Sequence, residues 1–183
     1  MIDYSITAEV YRAESLVPLD LFSRNVDAYV VAKFSGNKVM TNTVKGTLNP
    51  EWNKALKIGL GVPNKSKYLY LEVWNHNYFP KKHELIGVIK IPFIDIYENK
   101  FNTPRWGHMY GPPLCAKDEP PNNYASKMEL YGEELGSHYR GRILFKVAGK
   151  KYVHSQNGMS EIKFKFPYKP TPVVALKTYT LSV

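Results

Sequence analysis

The chain has a single cysteine, Cys115, among 183 residues. One thiol excludes an intrachain disulfide framework, fits a reducing compartment, and leaves no spaced cysteine pair to hold zinc. No apolar run approaches the roughly 20 residues needed to span a bilayer as a helix. No basic start leads into an apolar stretch, so no secretory signal is expected. Glycine-rich phosphate loops and nucleophile elbows are missing too, and the expectation is a protein that is not an enzyme. Runs of lysine and arginine long enough for a nucleic-acid tail are also lacking. The five histidines, His76, His83, His108, His138 and His154, are scattered without the cysteine or acidic companions that zinc spacing requires.

What is present is positive charge and alternation. The net charge is +9, a balance that suits an anionic partner, although solvated surface lysines would give the same total. Residues 112–139 run against it, with two basic and five acidic side chains, and residues 140–151 then carry five basic groups and no acid. Short segments of period two fill most of the chain. Ile6, Ala8 and Val10 alternate with polar neighbours, as do Ala28 to Phe34, Leu56 to Leu60 and Leu69 to Val73. Leu85 to Ile91 is a further apolar run ended by Pro92. Branched and aromatic residues at period two are the mark of strands, and several such strands imply a sandwich or barrel. Gly36-Asn37 is expected to turn the chain back into a strand from Val39 to Val44. Pro92 opens one helical turn carrying Phe93, Ile96 and Tyr97. Trp106 to Tyr110 and Arg142 to Val147 are expected as the seventh and eighth strands. Residues 111–139 are proline- and glycine-rich and are expected as a long loop. Ile162 to Phe166 and Val173 to Leu181 are two further strand candidates, either pairing with the sandwich edge or opening a neighbouring domain. The 14 tyrosines and 8 phenylalanines fall on alternating strands, which assigns them to packing rather than base stacking.

Dispersed motifs give the pattern a family. Asp27-Ala28-Tyr29-Val30, Thr47-Leu48-Asn49-Pro50-Glu51-Trp52-Asn53, Val73-Trp74-Asn75-His76-Asn77 and Glu84-Leu85-Ile86-Gly87, in this order, resemble a C2 domain. Val10-Tyr11-Arg12-Ala13-Glu14, the stretch Gly107 to Gly111, Gly132-Glu133-Glu134-Leu135-Gly136 and Tyr139 to Leu144 resemble an inner C2 unit of the ferlins and the segment that follows it. The resemblance covers about residues 5–150. It implies an all-β fold, an eight-stranded antiparallel C2 β-sandwich, with a long loop before the last strand and a C-terminal β extension. The expected division is a C2 domain over 1–150, with 112–139 inserted, and an extension or neighbouring domain over 151–183. Ferlins are large, tail-anchored, multi-C2 proteins of calcium-linked vesicle fusion and membrane repair. The chain would then be a fragment of one or a short relative.

The resemblance also implies a calcium site between two loops, built from Asp20, Asp27, Asn75, Asn77 and Glu84. Two of the expected aspartates are asparagines, which offer one neutral oxygen instead of a charged pair. The first loop is one residue longer than usual, and Arg24, Lys81 and Lys82 oppose a cation. Calcium affinity is expected in the ~10⁻⁴–10⁻³ M range or absent, so no cofactor is required. Leu21, Phe22, Tyr78 and Phe79 are expected at two loop tips beside Arg24, Lys81 and Lys82. Two arrangements are open: the tips insert into an anionic membrane, or the rings fold inward on the sandwich. At the lysine positions used by many C2 domains for phosphoinositides stand Val31, Met40 and Asn42, with only Lys33 and Lys45 nearby. Arg140, Arg142 and Lys146 could share one face of a strand as a second basic patch. Two functions follow from these loops. One is a membrane-docking C2 module of vesicle traffic, cytoplasmic and peripheral to a vesicle or the plasma membrane. It would bind anionic phospholipid with weak or no calcium dependence, alongside other ferlin domains or trafficking proteins and without nucleic acid. The other is a calcium-independent protein-interaction module.

Overall fold

The computed structural model describes residues 2–19, 24–78, 83–111 and 138–152. Eight strands and one short helix follow in chain order: β1 (Ile2–Glu14), β2 (Ala28–Phe34), β3 (Asn37–Met40), β4 (Glu51–Val62), β5 (Tyr68–Asn75), β6 (Glu84–Pro92), α1 (Phe93–Tyr97), β7 (Arg105–Gly111) and β8 (His138–Tyr152). They form two four-stranded sheets, ordered β4-β1-β8-β7 and β3-β2-β5-β6, with every pairing antiparallel. The all-β sandwich expected from period-two alternation is the observed fold. Inward residues of both sheets make one core. Ile6, Ala8 and Val10 of β1, Val30, Ala32 and Phe34 of β2, Leu69, Leu71 and Val73 of β5, and Ile143, Phe145 and Val147 of β8 are all buried in it. Each set steps by two, because alternate side chains of a strand share a face.

Three local readings are corrected. The hairpin between β2 and β3 turns on Ser35 and Gly36, with φ of 50° and 80°, and Phe34 pairs with Asn37. A two-residue turn with positive φ at both positions matches the twist of the flanking strands, so glycine takes the second position rather than the first. The strand expected from Val39 to Val44 ends at Met40, and Val44 keeps a single bridge to Ala28. At Thr41 the N–H still donates to Val30 O at 2.9 Å, but its hydroxyl stands in for a carbonyl in accepting the Val30 N–H at 3.0 Å, and the ladder ends there. The eighth strand is longer than Arg142 to Val147, because β1 pairs with it from Glu14 to Asp3. Pro92 stands just before α1, as expected. The connection 112–137 and the candidate strands beyond residue 152 lie outside the described residues.

Antiparallel order sorts the connections to two ends. The links β1–β2, β3–β4 and β5–β6 leave from one end, and Gly111 and His138, a register pair, lie there too. The β2–β3 hairpin, the β4–β5 link and α1 lie at the other. Gly107 of β7 sits where the open edges of the two sheets meet. A Cβ there would run into Ile89 Cδ1 and come within 2.8 Å of Phe145 Cε1. Gly107→Val is therefore expected to destabilise the fold by about 1–3 kcal/mol through overpacking, read as a lower urea midpoint at unchanged slope. An unchanged midpoint would mean that this edge is loose.

Candidate functional site: the loop end of the sandwich

The Thr47 to Asn53 motif fixes the base of the loop end. Asn49 Oδ1 accepts the Ser15 N–H at 2.9 Å, and the N–H groups of Ala13 and Leu16 donate to the carbonyls of Pro50 and Leu48. Thr47 N–H donates to Val26 O, which ties the same motif to the far side of the first loop. Trp52 is 6% exposed, and its Nε1–H reaches the Ala28 carbonyl at 3.1 Å. The motif thus acts as a peg between the two sheets.

Around that base stand the described members of the expected calcium set. Asp27 N–H donates to Asn75 Oδ1 at 2.9 Å, and His76 N–H donates to Asp27 O at 2.7 Å. Asp27 Oδ1 accepts the Gly46 N–H at 2.8 Å. Asn75 Nδ2 donates to Asn77 Oδ1 at 3.0 Å. Glu84 pairs with Asn75 across β5 and β6. The sequence placed these residues together and the structure does bring Asp27, Asn75, Asn77 and Glu84 to one end. Calcium takes six to eight oxygens with carboxylates supplying affinity, and of these four residues only Asp27 and Glu84 are carboxylates. Asn75 Oδ1 already accepts the Asp27 N–H, and its NH2 group already engages the Asn77 Oδ1. No group of three or more His, Cys, Asp or Glu side chains suited to a metal occurs among the described residues. Asp20 lies outside them, as do Leu21, Phe22, Phe79, Lys81 and Lys82.

Tyr78 is the described residue of the third loop tip, and its ring faces outward at 59% exposure. Lys45 places its Nζ 5.3 Å from that ring's centroid. The Lys45 pKa is pushed up, first by a hydrogen bond and charge interaction with Tyr78 and further by Asp27. Arg24 is exposed at the same end. In the sequence Lys45 stands out only as a neighbour of a missing lysine cluster; its partnership with Tyr78 depends on the second and third loops meeting. Nor does the sequence single out Tyr110 and Tyr139. They face each other across β7 and β8, with ring centroids 5.8 Å apart, and are 47% and 42% exposed. Their alternation on strands was visible as a pattern, but their position at the loop end is set by topology.

His76 and His83 do meet, with ring centroids 4.3 Å apart, and His83 Nδ1 shares a 2.7 Å hydrogen bond with Tyr29 Oη. Burial raises the Tyr29 pKa, with Glu72 adding to it. Arg140, Arg142 and Lys146 do not form a free stripe. A bulge between Met109 and Tyr110 drops Arg140 out of alternation, and it is 2% exposed. Burial lowers its pKa. Arg142 is paired with Glu14 at 2.6 Å and Lys146 with Glu9 at 3.2 Å. Arg142 also lies 4.4 Å from the centre of the Trp106 ring.

Comparison with known proteins agrees with this architecture. Mouse myoferlin is 28% identical over 94 residues, covering 43% of this chain and 4% of that protein. Arrestin domain-containing protein B of Dictyostelium discoideum is 34% identical over 73 residues, covering 39% of the chain and 12% of that protein. The chain thus matches a small part of the length of each. Among solved structures, a C2 domain of plant Extended Synaptotagmin 1 superposes with a TM-score of 0.56 at 17% identity, covering 82% of this chain and 96% of that one. The C2 domain family pattern matches residues 4–109, more than half of the sequence, and the chain therefore belongs to the C2 domain family.

Proposed function

We propose that this C2 domain docks on anionic phospholipid surfaces through its loop end, without a bridging calcium ion, as a peripheral module of a ferlin-like trafficking protein. The single observation that carries this reading is the pairing of Lys45 with the exposed Tyr78 ring at the end where asparagine amides have replaced carboxylates. A tyrosine ring is amphipathic and settles at the membrane–water boundary. A lysine near an anionic leaflet contributes about 1 kcal/mol. Part of one aromatic side chain leaving water adds on the order of 1 kcal/mol, and Arg24 supplies a further cation. Tyr110 and Tyr139 extend the aromatic rim at the same end.

Vesicle flotation tests this reading. Phosphatidylserine–phosphatidylcholine vesicles should retain the protein in chelator, and calcium should change the bound fraction little. Tyr78→Asp combined with Lys45→Glu is expected to weaken binding by at least about tenfold, since each 1.4 kcal/mol is a factor of ten. Both side chains are on the surface, so the circular dichroism should be unchanged. Absence of vesicle binding in every condition would overturn the docking reading and favour the protein-interaction module.

A further inference from the structure

At the opposite end of the sandwich lies a cleft of about 680 Å³, lined by Lys33, Lys38 and Lys67 together with Ser35, Ser66 and Tyr70. Its walls are the β2–β3 hairpin and the link into β5, and one side chain clamps them together. Asn64 Nδ2 donates to Ser35 Oγ at 3.0 Å, while Asn64 Oδ1 accepts the Ser66 N–H at 2.8 Å. The Ser35 hydroxyl, having accepted, still has its proton to donate. The Lys67 carbonyl is held by the Phe93 N–H at 2.8 Å, which fixes the backbone beneath that lysine. The cleft is therefore held open in a set shape.

Its charge is one-sided. No carboxylate among the described residues lines it. Glu72 of β5, the partner of the lining residue Lys33, is 1% exposed, held by Lys33 at 2.6 Å and by Trp74 Nε1–H at 2.8 Å. Lys38 and Lys67 have no ion-pair partner among the described residues. Outside the cleft, Lys90 lies over the ring of its lining residue Tyr68, 4.2 Å from the centroid. Two unneutralised ammonium groups, serine hydroxyls and phenol rings therefore line one cleft, a combination suited to a phosphate dianion. Charge-assisted hydrogen bonds to phosphate are the strong kind.

We propose that this cleft binds a phosphorylated, acidic protein segment. The choice of a protein over a lipid headgroup follows from position and rests on the docking reading. The eight residues of β5 span about 25 Å at roughly 3.3 Å each, so a bilayer touching the loop end is about three Debye lengths away at physiological salt. The cleft is larger than a phosphate group needs, and its phenol rings offer flat walls for an extended peptide. A domain so equipped joins a membrane at one end to a phosphorylated partner at the other.

Fluorescence anisotropy with the whole chain and a labelled peptide, Asp-Glu-phosphoserine-Asp-Glu, tests this without any membrane. The phosphopeptide is expected to bind at least about tenfold more tightly than its serine counterpart, with affinity falling as salt rises. Lys38→Glu with Lys67→Glu should weaken phosphopeptide binding by at least about tenfold and leave the fold intact. Tyr78→Asp with Lys45→Glu should leave it unchanged, so the peptide result stands whatever the vesicle result. Equal affinity for both peptides, or insensitivity to the double lysine reversal, overturns the proposal. So does loss of vesicle binding in the Lys38/Lys67 variant with no peptide binding by the parent, which would assign the cleft to lipid.

Discussion

Trp52→Ala is expected to lower the unfolding free energy by about 3–5 kcal/mol, the range for removing a large buried aromatic side chain. The indole fills the space between the sheets at the loop end and is nearly fully buried. Its removal leaves a cavity that the Thr47 to Asn53 motif cannot close, because that segment is pinned to Ser15, Leu16 and Val26 by its own hydrogen bonds. The lost hydrogen bond is the smaller part. Ala28 O also accepts the Val44 N–H at 2.9 Å, so it is not left unpaired when the indole goes. Trp52→Phe should accordingly cost only about 1–2 kcal/mol, keeping most of the volume and losing one bond worth about 1 kcal/mol. Urea denaturation separates the two variants by midpoint at constant slope, with Trp74 and Trp106 remaining as fluorescence probes. Against a typical total of about 5–15 kcal/mol, the alanine variant would be marginal. A cost below about 1 kcal/mol for Trp52→Ala would show that the peg does not hold the sheets together.

That peg shows which features a sequence can display. Alternation of apolar residues is local, and it placed β1, β2, β4 and β5, because each of these strands needs only its own period to show which face is inward. Tertiary hydrogen bonds are not local. Thr41 reads as a strand residue, yet its hydroxyl takes a backbone donor from β2 and ends β3 early. Arg140 reads as the first member of a basic stripe, yet the bulge in β7–β8 turns it into the protein. Arg142 and Lys146 keep their face but meet Glu14 and Glu9 of β1, 128 and 137 residues away, which no spacing rule reveals. The loop end was legible as a set of positions, since Asp27, Asn75, Asn77 and Glu84 do gather there. Its present chemistry was only half legible. Neutral asparagines could be read directly, but the donation of Asp27 N–H to Asn75 Oδ1 is a contact across β2 and β5. The lysine cleft at the far end was missed because its members come from a hairpin and a link well separated in the chain, each with only one or two lysines and no motif around them.

Restoring carboxylates should expose what the asparagines have done. In Asn75→Asp with Asn77→Asp, one oxygen of residue 75 can keep the Asp27 N–H while the other takes the place of Nδ2 and is free for a cation. Residue 77 then offers a charged pair where Asn77 offers an oxygen already engaged by Nδ2. With Asp27 and Glu84 this makes four carboxylates at one end, the kind of oxygen set that calcium prefers. Without metal these like charges repel, so the variant should melt lower than the parent in chelator. With calcium it should bind at least about tenfold more tightly than the parent by calorimetry, and saturation at roughly a hundredfold excess over Kd would return about 2.7 kcal/mol. Vesicle binding should become calcium-dependent at the same time. Lys45 works against the ion through its position beside Asp27, so adding Lys45→Gln should strengthen calcium binding further while weakening vesicle binding in chelator. That opposite pair of shifts from one substitution distinguishes a lysine acting as the membrane cation from one that only fills the surface. A parent protein that already binds calcium as tightly as the double variant would remove the basis for metal-free docking.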